Sequence, residues 1–337
     1  MRILLLLGDF GLPTMAALLA SRYRPVGVVL ATATEAPPPM TAAGWVRAWL
    51  RPLFWRGTQG LPPRDLRPWT AGAVLARAQV PYTTAKGLNT SDLCQLVETH
   101  RAELILSAGY PNILPPPVLS APPKGVLNVH PSLLPRYRGP SPVFWQVALG
   151  ETRSGATLHR MTPSLDEGPI LSQLDVKIAA DETAGALFFR LARLAAHLVM
   201  KTLSLLEAGS LPERPQDPAL ASVQYRFRDE DSLIDWARPA EDLARLVRAC
   251  NPSPGARAFL TGGESVRIWR ARALTGSTSR SFGEIVKLRH NFFDVTTGSG
   301  HLRVQTATSD RSHRFPAWGG RWPALVAGMV FEPREVV

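Results

Sequence analysis

GVLNVHPSLLPRYRG, Gly125 to Gly139, runs from an unbroken apolar segment into a turn rich in proline and serine. An apolar run bounded by turn formers reads as a buried strand, here one that ends at Asn128–His130. In open α/β sheets the carboxyl ends of strands are where ligands bind. Residues two apart on an extended segment point the same way, so Asn128 and His130 can converge on one reacting atom. SLDEGPI, Ser164 to Ile170, places Asp166 thirty-six positions after that histidine. A carboxylate there can orient the imidazole and, by charge pairing, raise its pKa. Taken singly, each residue has a plainer reading: a turn-forming Asn128, a core His130, a loop-capping Asp166. The ordered set is what argues for a site.

Outward from this stretch, strand and helix signals alternate. RILLLL (2–7) reads as a strand, residues 11–22 as a helix with Pro13 in its first turn, and PVGVVLAT (25–32) as a second strand. A helix over 91–100 with Ser91 as its N-cap follows, then strands at 102–110, 124–130, 154–161 and 170–178. A long amphipathic helix spans 183–208. Such alternation predicts an α/β fold built on a Rossmann-like, mostly parallel sheet. Residues 207–222, rich in proline and small polar residues, read as a linker. Beyond it a short Ile-Asp-Trp strand (234–236) leads into a helix, and short alternating strands at 265–274, 282–288, 291–297 and 301–307 suit a small β-barrel. The domain plan is therefore 1–206, a linker at 207–222, and 223–337.

The order Asn-x-His-x-Ser-Leu-Leu-Pro-x-Tyr-Arg-Gly, then Leu-Asp-x-Gly, resembles the folate-dependent formyltransferases. That family formylates methionyl-tRNA, glycinamide ribonucleotide and sugar amines. IDWARPAEDLARLVRACNPSPGA followed by VRIWRA also resembles the family's tRNA and 4-amino-arabinose enzymes, so the likeness covers nearly the whole chain. The resemblance implies an OB-like C-terminal domain, 10-formyltetrahydrofolate as formyl donor, a primary amine as acceptor and no metal. It makes Asn128, His130 and Asp166 catalytic: Asn128 and a protonated His130 would donate to the developing oxyanion, and Asp166 would help move a proton. It places folate along Ser132, Leu133, Leu134 and Pro135, against Tyr110 and the Leu165 loop, with Arg138-Gly139 at the mouth. Initiator methionyl-tRNA is the acceptor implied first, and an amino sugar, nucleotide-linked or lipid-linked, or another small amine is the alternative. Three departures favour the alternative: Tyr137 in place of Trp, Ser141–Trp145 in place of Ala-Ala-Pro-Ile, and the lack of a Gly- and Lys-rich basic loop. LHRM (158–161) matches the arabinose enzyme and puts His159 at the border of the acceptor pocket.

The chain of 337 residues carries a net charge of +11, with five lysines among its 38 basic residues. Basic surfaces favour anionic partners without choosing among them. The insertion 35–69 concentrates four tryptophans and five arginines. It can serve as a lid, as an RNA grip through stacking aromatics, or as a peripheral membrane contact. No apolar run reaches the roughly 20 residues of a transmembrane segment. MRILLLLGDFG reads as a buried first strand, since its apolar run is short and no small-residue cleavage site follows. Cys94 and Cys250 have no metal-binding spacing, and a reducing, cytoplasmic setting is expected.

Overall fold

The computed structural model describes residues 1–31, 69–276, 279–309, 325 and 327–332. The insertion 35–69 lies outside the described residues except for Trp69, the first residue of a helix. The chain divides into two compact units. One comprises Met1–Pro142, Arg153–Lys177 and Leu187–Tyr225, and the other Val143–Thr152, Ile178–Ala186 and Arg226–Val337.

The first unit is built on seven strands: β1 (Ile3–Leu7), β2 (Gly27–Leu30), β3 (Tyr82–Thr84), β4 (Leu104–Ala108), β5 (Val126–His130), β6 (Arg153–Arg160) and β7 (Ile170–Lys177), in the order β3-β2-β1-β4-β5-β6-β7. The first five are parallel, and β6 and β7 add on antiparallel. β1 and β4 are buried at every residue. That is why ILLLL and LILSA read as continuous runs: a parallel strand covered on both faces has no polar side. Helices α1 (Leu12–Leu19), α2 (Trp69–Arg77), α3 (Thr90–Thr99) and α4 (Pro116–Ser120) occupy the connections. Pro13 does lie in the first turn of α1. The cap of α3 is not Ser91 but Asn89, whose side chain accepts from the Asp92 amide at 3.0 Å while the Asp92 carboxylate accepts from the Asn89 amide at 2.9 Å. This reciprocal pair satisfies two helix-end donors at once, which a cap inside the first turn cannot do.

Residues 207–222 run along the first unit. Arg214 pairs with Ile170 and Val223 bridges to Arg138. Helix α5 (Pro142–Ala148) and the long helix α6 (Ala184–Glu207) each carry residues of both units.

The second unit holds α7 (Ala240–Ala249) and a five-stranded antiparallel sheet of β8 (Ala256–Phe259), β9 (Ser265–Leu274), β10 (Ile285–Arg289), β11 (Phe292–Thr296) and β12 (His301–Ser309), ordered β10-β11-β12-β9-β8. Val330 and Phe331 pair with Glu284 and Leu260, so these last residues bridge the two edges of the sheet. The Ile-Asp-Trp segment forms no strand. A single bridge from Leu233 to Arg257 stands in its place, and Trp236 enters the core beside Phe331. Among the described residues no helix is long and apolar enough to cross a membrane.

Candidate active site

The site is assembled at the carboxyl end of β5, within the first unit. β5 pairs with β4 on one side and β6 on the other, with Asn128 opposite Ser107 and His159. The pairing register therefore sets an amide between a hydroxyl and an imidazole. Ser107 Oγ donates to Asn128 Oδ1 at 2.9 Å, and Asn128 Nδ2 donates to His159 Nε2 at 3.2 Å. The hydroxyl fixes which way the amide faces, leaving one N–H of Asn128 for a further acceptor.

Asp166 sits between two imidazoles. Its Oδ2 is 3.5 Å from His130 Nδ1, and its Oδ1 is 3.5 Å from His159 Nε2. The Gly139 amide donates to Oδ2 at 3.0 Å. His130 Nε2 is 2.8 Å from the Tyr137 carbonyl, and His159 Nδ1 is 3.0 Å from the Arg160 carbonyl. A carbonyl can only accept, so each imidazole carries its proton on that nitrogen. The nitrogen of His130 that faces Asp166, Nδ1, is the one that can gain a proton.

Burial and charge pairing compete at His130. Burial is the largest influence on His130 and pushes its pKa down, outweighing the Asp166 charge and the Tyr137 carbonyl that push it up. Burial therefore opposes the imidazolium that charge pairing alone favours. Burial works against the ionised form of Asp166 too, but here it loses. The two facing imidazoles, His130 first, and the Gly139 amide together hold this carboxyl below the usual carboxylate range.

Backbone conformation is special at three positions around the carboxylate: Asp166 (φ 53°), Tyr137 (φ 59°) and Gly139 (φ 115°). A Cβ on Gly139 would lie 2.1 Å from the Gln224 carbonyl oxygen, so only glycine allows residues 222–224 to close on this loop. Arg138 is not at a mouth. It is buried, with Nε and Nη2 on Gln216 Oε1 at 3.2 and 2.9 Å and Nη1 on Glu167 Oε1 at 2.9 Å.

Of the residues expected to line a folate site, Ser132 and Leu134 are interior. Ser132 Oγ donates to the Arg136 carbonyl at 2.7 Å, and Gln173 Nε2 donates to the Leu134 carbonyl at 2.7 Å. Leu133 packs against Gly155 and stays half-buried. Tyr110 and Pro135 are half-buried and Leu165 is exposed. The residues not expected at the centre are Ser107, Arg138 and Gln216, together with the full involvement of His159. LHRM flagged His159, but no local pattern marks a glutamine inside a proline-rich segment.

Comparison with known proteins places the chain as a whole. Residues 66–203 match the formyl transferase family and residues 226–318 the formyl transferase C-terminal domain. The chain is 37% identical over 236 residues to the methionyl-tRNA formyltransferase of Syntrophus aciditrophicus, covering 70% of this chain and 75% of that one. The N-formyltransferase of Helicobacter canadensis, solved with folinic acid and dTDP-3-aminofucose, superposes with a TM-score of 0.62 at 13% identity, over 91% of this chain and 99% of that one. HypX of Aquifex aeolicus, solved with tetrahydrofolic acid, superposes at 0.60 with 17% identity, over 91% of this chain but 44% of the longer HypX chain. The fold, both matched regions and the Syntrophus likeness agree: this chain is a member of the formyltransferase family, and it is an enzyme of that class.

Proposed function

We propose that the chain transfers a formyl group from 10-formyltetrahydrofolate to the amino group of methionyl-tRNA. The 37% identity to a methionyl-tRNA formyltransferase is the observation that carries the acceptor. The ring of Asn128, His159, Asp166 and His130 carries the chemistry. On this reading the catalytic domain is 1–206, the joining segment 207–222 and the C-terminal domain 223–337. The setting is cytoplasmic, where thiols such as Cys94 and Cys250 stay reduced.

The donor supplies a formyl group on nitrogen. The acceptor nitrogen bonds to the formyl carbon, the bond from that carbon to the folate nitrogen breaks, and one proton passes from the amine to the departing nitrogen. Asn128 offers its remaining N–H to the oxygen on which charge builds, held by Ser107 so that no reorientation is needed. His130 starts neutral and takes the amine proton on Nδ1, beside Asp166, then returns it to the leaving nitrogen. Asp166 stays ionised and stabilises the transient imidazolium. Half-buried Tyr110, Leu133 and Pro135 with exposed Leu165 offer a flat apolar surface for a pterin, while Ser132 and Leu134 hold that wall from behind.

One observation favours a sugar amine instead: His159, in the LHRM segment that resembles the arabinose enzyme, is a full member of the ring. Initiator methionyl-tRNA and a panel of amino-sugar nucleotides, offered in parallel with 10-formyltetrahydrofolate, separate the two. The expected result is rapid formylation of the tRNA with a rate constant at low acceptor that falls steeply with added salt, since RNA contacts release counterions. Turnover of one sugar nucleotide and none of the tRNA would sink the tRNA reading.

A further inference from the structure

From residue 212 to residue 220, every side chain is exposed except that of Gln216. This glutamine turns inward and uses both ends of its amide. Nε2 donates to the Asp166 carbonyl at 2.7 Å and to the Gly168 carbonyl at 2.8 Å. Oε1 accepts from Nε and Nη2 of buried Arg138. Arg138 in turn reaches Glu167, the residue between the two carbonyls that Gln216 holds. Its own peptide is tied down by the Ser222 carbonyl at 2.8 Å and the Gln224 amide at 2.8 Å.

We infer that Gln216 is a positioning residue for the reaction: the segment after the long helix is part of the active site and sets the geometry of Asp166. This rests on the reading of Asp166 as the catalytic carboxylate. Asp166 adopts a left-handed backbone, a conformation that is unfavourable for a non-glycine residue and persists only where the surroundings enforce it. Within its own loop, nothing described supplies two donors aimed at the carbonyls on either side of Glu167; Gln216 does. With those carbonyls held, the carboxylate lies within reach of the Gly139 amide and both imidazoles. Released, it leaves all three. A glutamine that merely fastened a linker to the surface would have no need to grip the peptide of the catalytic residue itself.

The test uses the full-length chain with Gln216→Glu and Gln216→Met. The first keeps the size and the partner for Arg138, but sets carboxylate oxygens against two carbonyls. The second removes the amide without adding charge. Two readouts are taken: formyl-transfer kinetics, and the titration of the Asp166 carboxyl by carbon NMR, assigned with Asp166→Asn. We expect kcat to fall about 10- to 100-fold, the loss that a displacement near 1 Å brings, with KM for the folate donor within about 3-fold. The Asp166 midpoint should move up toward the ordinary carboxylate range in both variants. Wild-type kcat in either folded variant, or lost activity with an unmoved Asp166 titration, overturns the inference. So does unfolding of both variants, which would make Gln216 a folding residue. Should the wild-type chain formylate no acceptor, the proposed function falls, while the carboxyl titration still decides whether Gln216 sets Asp166.

Discussion

Two regions of the molecule, the surroundings of the site in the first unit and the core of the second, are built from opposite chemistry. Beneath the end of β5 the first unit holds a connected polar set, buried or half-buried, of Ser107, Asn128, His130, His159, Asp166, Arg138 and Gln216, whose members bond to one another and to nearby backbone groups. The second unit gathers Ile234, Trp236, Leu243, Val247, Ile268, Phe293, Val295, Leu302, Val304 and Phe331 around one apolar core. Even its buried charge is compensated locally, since Arg303 pairs with Asp294 at 2.7 and 2.8 Å and lies 3.9 Å from the Phe292 ring. Apolar burial stabilises in proportion to area and tolerates many sequences. A buried polar network contributes little net stability and is sensitive to each member. Burial thus has different meanings in the two regions: positions in the first set hold a reaction in place, and positions in the second hold the fold.

The largest separation should come from Asp166→Asn and Trp236→Ala. Asp166→Asn keeps the size but removes the charge that steadies a protonated His130. Turnover should drop about 10³-fold, within the range of lost acid–base and electrostatic catalysis, while circular dichroism stays native. Trp236→Ala should cost about 3–5 kcal/mol, as large-to-small core changes do, read as a shifted urea midpoint, with turnover per folded molecule unchanged. Trp236→Phe sharpens this. Among the described residues the indole Nε1 is buried without a hydrogen-bond partner, so deleting the N–H removes an unsatisfied donor and the loss should stay near 1 kcal/mol. A Trp236→Ala variant that folds normally but fails to transfer formyl would break the division.

Much of the first unit was legible because its strands are apolar on both faces and its motif is contiguous. Asn128 and His130 announce themselves by spacing on one strand, and Asp166 by the SLDEG turn. The rest was hidden for identifiable reasons. β3 (YTT) is three residues long and half-exposed at an edge, so it has no run to detect. Helix α4 is a single turn of PPVLS, which reads as a loop. The downward push on the His130 pKa depends on how deeply the imidazole is enclosed, and no residue type encodes that. Ser107 and Gln216 lie 21 and 88 positions from Asn128. Only the pairing of β4 with β5 and the path of the segment after α6 bring them in. Composition identified that segment as irregular and connecting. It could not show that one glutamine in it faces inward.

The smallest effect is also the one that most sharpens the comparison, because it asks which force governs a buried polar group. If burial wins at His130, its folded-state pKa lies below the ordinary histidine value of ~6.5. The sign follows. As the pH falls through that value the unfolded chain takes up the proton first, so stability is full above ~6.5 and declines on acidification, and Asp166 adds a second decline below the ordinary carboxylate value of ~3.9. For activity the form that matters is neutral His130, ready to accept the amine proton. The acid limb of kcat/KM, which reports the free enzyme, should therefore have its midpoint below 6.5, so that more than about half of the plateau rate survives at pH 6.5. An enzyme that needed the imidazolium from the outset would behave in reverse, losing rate as the pH rises through the same region. A midpoint at or above 6.5 would mean that the Asp166 charge outweighs burial, and that this polar interior is governed by its pairs rather than by its depth.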